Sequence, residues 1–139
     1  MKKIFLCILL SLMWCNIGFA TPMWKISEDW ICIPSLHTKM KLDGTVLGVN
    51  EITITKTIDF KNSKITSSAG NQIGKIIDKL FVHSPSYYVE NILIIDWKGY
   101  GKQISYIKHD LKTDQFWNVA SSGMPRGTIY SSFSKCSPL

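Results

Sequence analysis

The chain has 139 residues, of which 16 are basic and 10 acidic, for a net charge of +6. That length corresponds to one domain, large enough to bury a core without further staples. Only Arg126 among the basic residues is arginine; this argues against specific nucleic-acid binding, because bidentate reading of phosphates and guanine edges favours the arginine fork.

The first twenty residues read as a secretory leader. Lys2 and Lys3 make a basic start, Ile4 to Trp14 form an apolar run, and Gly18 and Ala20 place small residues three and one before a cleavage point. A membrane anchor needs about 20 apolar residues, and this run is broken by Cys15, Asn16 and Gly18. Trp14 stands before Cys15, where a lipid-modified cysteine requires a small residue. The expected organisation is therefore a signal peptide over 1–20 and a single β-rich domain over 21–139. No stable membrane anchor is expected after cleavage. Loss of Lys2 and Lys3 leaves 14 basic against 10 acidic residues, a net +4.

Cleavage removes Cys7 and Cys15 and leaves Cys32 and Cys136. Two cysteines in an exported chain are expected to pair, because the compartment is oxidising. A Cys32–Cys136 bridge would join the first strand to the last. Periplasmic or secreted localisation follows from the same two features.

Along the mature chain, Thr21 to Asp29 reads as an extended lead-in. Trp30 to Pro34 reads as a strand with apolar residues on both faces, hence well buried. Ser35 to Asn50 reads as a loop with one weak strand at Val46 to Val49. Glu51 to Phe60 carries the clearest period of two: Ile52, Ile54, Ile58 and Phe60 alternate with polar residues, and Lys56 is the one break. KNSK, Lys61 to Lys64, is a turn, and a return strand starts at Ile65.

Asn71 to Phe81 supports two readings. Ile73, Ile76, Ile77, Leu80 and Phe81 fall on one helix face, and Asn71 is placed to cap it. Gly74 and the three isoleucines favour strand instead. The pattern leans to a short helix near 71–81, with a strand as the alternative. Tyr87 to Trp97 is a strong strand region, and Gly99 and Gly101 mark a turn with Tyr100 between them. Gln103 to Leu111 is the next strand, LKTDQ turns, and Phe116 to Val119 returns. Ser121 to Gly127 reads as a loop, and Thr128 to Cys136 as the last strand. The fold class expected is all-β, or α+β if 71–81 is helical, as a small antiparallel barrel or sandwich closed by a disulfide.

No spacing points to catalysis. His109 and Asp110 are neighbours on a strand and face opposite ways, and His37 and His83 lie in separate segments. Metal-ligand spacing is absent, no serine sits in a strand–turn–helix elbow, and no cofactor is expected. Trp30, Phe116 and one of Trp97 or Trp117 are expected in the core. Tyr100, flanked by Lys98 and Lys102 in the turn KGYGK, is the best candidate surface anchor.

The segments TIDFKNSKIT (57–66), ILIIDW (92–97) and ISYIKHDLKTDQFWNV (104–119), with a closing SKC, resemble small exported bacterial proteins of unassigned activity. Where those carry an arginine and a Thr-Gly turn, Lys108 and LKTDQ stand here. GTIYS (127–131) is similar, in part, to the inhibitory loop of periplasmic c-type lysozyme inhibitors. These resemblances imply a β-rich domain with a terminal disulfide. The expected function is a non-catalytic, monomeric module that docks to a protein partner, as an inhibitor, immunity factor or effector. The positive charge favours an acidic partner. One alternative is a small-molecule or lipid carrier using a barrel interior, and another is a small hydrolase.

Overall fold

A computed structural model of the protein describes residues 20–50, 53–83, 88–124 and 127–139. The predicted leader lies outside the described residues but for Ala20. The described chain consists of a short helix α1 (Met23–Ile26) followed by nine strands: β1 (Asp29–Lys41), β2 (Val46–Asn50), β3 (Lys56–Asp59), β4 (Lys64–Ser67), β5 (Gln72–His83), β6 (Tyr88–Trp97), β7 (Gly101–Asp110), β8 (Gln115–Met124) and β9 (Thr128–Pro138).

From β3 to β9 each strand pairs antiparallel with the next, and β9 then pairs with β1. β1 closes the ring by pairing with β3 through Asp29 to Cys32. The result is a closed antiparallel barrel of eight strands. β2 stands outside the ring, paired to the later half of β1 along the same edge that β3 uses. Closure pairs each of the eight ring strands on both edges over part of its length, which shortens the free edge that would otherwise invite pairing with other chains.

The core follows the period of two. Trp30, Ile58, Ile65, Ile76, Leu93, Ile95, Trp97, Ile107 and Phe116 point inward. Trp30 is fully buried and meets Phe116 edge-on at 4.6 Å between ring centres. Of the two tryptophans weighed for the core, Trp97 is buried, while Trp117 stacks on Phe133 at 5.2 Å outside the barrel. Cys32 and Cys136 are direct cross-strand partners on β1 and β9, with α-carbons 4.0 Å apart, and form the expected disulfide.

α1 closes the end of the barrel where β1 begins. Met23 N–H donates to Asn91 Oδ1 at 2.9 Å, and Trp30 Nε1 donates to the Met23 carbonyl at 3.2 Å. Trp24 leans on Phe60 and Phe81, and the Lys79 ammonium lies 5.5 Å from the Trp24 ring.

Several expectations are corrected. Residues 72–83 form a strand, not a helix. Gly70 and Asn71 both have positive φ, 62° and 52°, and Gln72 N–H returns to the Ala69 carbonyl. Ser67 pairs with Gln72, so residues 68–71 form a four-residue hairpin connection whose left-handed Gly70 and Asn71 reverse the chain, and Asn71 turns the chain instead of capping a helix. The irregular apolar spacing comes from a bulge between Ile76 and Asp78. The bulge adds one residue and resets which face points inward, so Ile76 lies inside and Leu80 outside. The segment from Ser35 is not a loop: β1 runs on to Lys41, held by β9 on one edge and β2 on the other. Pro34 itself stands in the β9 ladder opposite Ser134, just before a register shift to the Leu36–Phe133 pair. It falls where the other edge of β1 is unpaired, after the β3 pairs end at Cys32 and before the β2 pairs begin at His37. Ile33 is 56% exposed, so the first strand is buried on one face only. The strand expected over 51–60 is regular only at Lys56 to Asp59, with residues 51–52 outside the described residues. The lead-in contains α1. β8 extends through the Ser121 segment to Met124.

Candidate functional site

The inward positions are not filled evenly. Near α1 they hold tryptophan, isoleucine and phenylalanine. Towards the far end they become Ser67 on β4, Ser122 on β8, and Ser132 and Ser134 on β9. Small side chains cannot fill a barrel of this size. A pocket of about 310 Å³ results, lined by residues that include Cys32, Pro34, His37, Ile54, Lys56, Ala69, Gln103, Tyr130, Ser132 and Ser134. The volume is at the lower end of the range of small-molecule sites.

Lys56 dominates the electrostatics. On β3 it occupies the same face as Ile58, so the strand's alternation aims its side chain into the barrel. Its Nζ donates to Gln103 Oε1 at 3.4 Å and lies 5.9 Å from the Trp97 ring centre. The same Gln103 oxygen accepts a bond from Trp97 Nε1 at 3.0 Å. Gln103 is thus held by its oxygen, which leaves its amide N–H2 as a donor. No carboxylate is among the described residues that line the pocket. Burial, with no opposite charge to offset it, pushes the Lys56 ammonium down to about 8. Burial, and after it the Lys56 charge, hold the His37 imidazole below its ordinary range. Asn118 Nδ2 donates to Ser134 Oγ at 3.2 Å, whereas Asn118 Oδ1 is buried with no partner among the described residues.

The residues singled out in sequence fall as follows. Tyr100 is 50% exposed in the β6–β7 turn, with Lys98 and Lys102 exposed beside it. By the strand order this turn lies at the same end of the barrel as the β4–β5 turn, whose Ala69 lines the pocket. His109 faces inward and Asp110 does not. His109 stacks on Phe116 at 3.9 Å, and its Nε2 meets Asp114 Oδ1 at 2.7 Å. Among the described residues, no group of three or more His, Cys, Asp or Glu is placed to hold a metal ion.

Sequence reasoning missed Lys56, His37 and the β9 serines. For Lys56 the signal existed: it replaces an apolar residue at an inward step of the alternation. His37 lies in the segment whose composition reads as a loop, which gives it no face in the sequence. A second feature is on the outer wall. Leu36, Phe133, Val119, Tyr106, Ile92 and Leu80 are successive cross-strand partners from β1 across β9 to β5, and all but Ile92 are exposed. They form a continuous apolar row outside the barrel.

Compared with known proteins, the chain matches no family model, no curated protein and no solved structure.

Proposed function

We propose that the protein binds a small organic molecule in the open end of its barrel, and that it does so outside the cytoplasm, in the periplasm or the external medium. One observation carries the binding reading: inward positions that would normally be filled are small, and the space they leave is furnished with a half-buried, inward-pointing cation and several hydroxyls. Withdrawing a charge even partly from solvent is costly. Its presence beside a pocket is accounted for if the pocket has an occupant. The disulfide and the leader-like start support the location. Native mass spectrometry of the full-length precursor, exported and purified without denaturant, tests the reading. The processed wild type should carry a bound mass that denaturation releases. A Ser132→Trp variant, which fills the pocket from β9, should not. Equal masses for both would refute the proposal.

The outer apolar row supports a second reading, docking to a protein partner, since single exposed apolar residues are ordinary but a contiguous stripe is not. Tyr106→Ser with Phe133→Ser should abolish recovery of a partner that the wild type retains. Identical recovery by both proteins would exclude the row as the docking surface.

A further inference from the structure

We infer that the molecule taken up by the barrel is a small monocarboxylate, its acid group against Lys56 and its short apolar body against Pro34, Ile54 and Ala69. The inference rests on the pocket being a ligand site.

Its first support is the sign of the pocket. A lysine that points into a barrel and is withdrawn from much of the solvent, as the half-buried Lys56 is, ordinarily has a partner of opposite charge. Lys56 has a neutral acceptor at 3.4 Å and an aromatic face at 5.9 Å, and the described lining offers it no anion. The groups facing it that can titrate are His37 from β1 and Tyr130 from β9, and Lys39 lies 5.5 Å from the Tyr130 ring. All of these leave the site positive or neutral. A cationic ligand would be repelled, and a neutral one would leave the ammonium uncompensated.

The donor set is the second support. The Lys56 ammonium, the Gln103 amide N–H2 and the hydroxyls of Ser132 and Ser134 can all donate to an anionic oxygen. The third is stoichiometry. A single point charge matches a singly charged anion, whereas phosphate dianions favour arginine forks or several cations. Size sets the rest. With roughly 30 Å³ per water-sized group, about 310 Å³ admits a molecule of about ten such groups. The lining offers that body Pro34, Ile54, Ala69 and the Cys32 sulfur.

The test uses the exported, disulfide-bonded protein and three probes of one length: hexanoate, hexanol and hexylamine. Each is titrated calorimetrically at pH 7 into wild type and into Lys56→Met. Hexanoate should bind wild type at least roughly tenfold more tightly than hexanol, as expected for a charge-assisted bond, and hexylamine should not bind. Lys56→Met should erase the preference for hexanoate while leaving hexanol unchanged. A second measurement needs no variant: wild-type affinity for hexanoate should fall between pH 7 and 9.5, as the ammonium loses its proton, and hexanol affinity should not. Hexanol or hexylamine binding as tightly as hexanoate would overturn the carboxylate assignment alone. So would undiminished hexanoate binding by Lys56→Met. Silence of all three probes on wild type would overturn the pocket reading itself, and the inference with it.

Discussion

Replacing Lys56 by methionine should make the protein more stable at neutral pH. Methionine is of similar length and apolar, so it fills the same inward position on β3 without a charge to desolvate. The folded protein holds the Lys56 ammonium near 8, against an ordinary value of 10.5. Each unit of such a shift corresponds to about 1.4 kcal/mol, so the charged lysine costs the folded state roughly 3 kcal/mol below pH 8. Partial solvent access at the pocket mouth lowers this, and about 2 kcal/mol is the working figure. Gln103 Oε1 keeps its bond from Trp97 Nε1, so the substitution leaves no buried acceptor orphaned. The sign with pH follows from proton counting. Between about 8 and 10.5 the unfolded chain still binds the proton that the folded chain has lost, so wild-type stability rises with pH in that window. Below about 8 the penalty is fully present. Urea denaturation of both proteins at pH 7 and pH 10.5 isolates the effect, because the other lysines and tyrosines titrate in both. Lys56→Met should lead at pH 7, and the gap should narrow by pH 10.5. A variant less stable than wild type at pH 7, with a gap independent of pH, would refute the argument that Lys56 is a desolvated cation.

Reducing the Cys32–Cys136 bridge, which spans 104 residues of sequence, should cost about 4–5 kcal/mol in the chain-entropy account; a shift in the urea midpoint equivalent to less than 1 kcal/mol, on the order of the smallest effects seen for such bridges, would contradict it. Gly74→Ala should lower the melting temperature, because an added methyl would meet Ile95 at 2.8 Å and Ile65 at 2.9 Å, both buried. Overpacking of this kind costs about 1–3 kcal/mol, and a neutral result would mean that the inner wall gives way. Asn91→Leu removes the acceptor for Met23 N–H and should cost about 1–3 kcal/mol for an orphaned buried donor. Its earliest sign should be a red shift of Trp24 emission as α1 detaches; unchanged emission would show that α1 is held by packing alone.

The barrel was legible in the sequence wherever alternation was undisturbed. Strands β6, β7 and β9 lie close to where period two and the glycine turns put them, and the disulfide followed from the pair of cysteines left after the expected leader. Three local devices hid the rest. The bulge at Ile76 to Asp78 shifts the inward face by one residue, which made β5 imitate a helix. Pro34 ends the apolar pattern of β1 in the sequence, although its ladder to β9 runs on past a register shift there, from Leu36 to Lys41. β8 reaches Met124 through Ser121 and Ser122, residue types that usually mark loops, because β7 and β9 supply its ladder from both sides. Propensity yields to tertiary pairing in such cases. The pocket was written in the sequence as an irregularity: one lysine where an isoleucine belonged, and serines at inward steps of β9. Single-strand patterns cannot show that these meet, since β3, β7 and β9 are brought to one space only by closure of the ring.

The most direct measurement is a crystal of the disulfide-bonded protein soaked in 6-bromohexanoate, with data collected at the bromine edge. The account predicts one bromine peak inside the barrel and the carboxylate within hydrogen-bonding distance of Lys56 Nζ. Bromine found only on the outer wall, or a carboxylate turned away from Lys56 towards solvent, would contradict it.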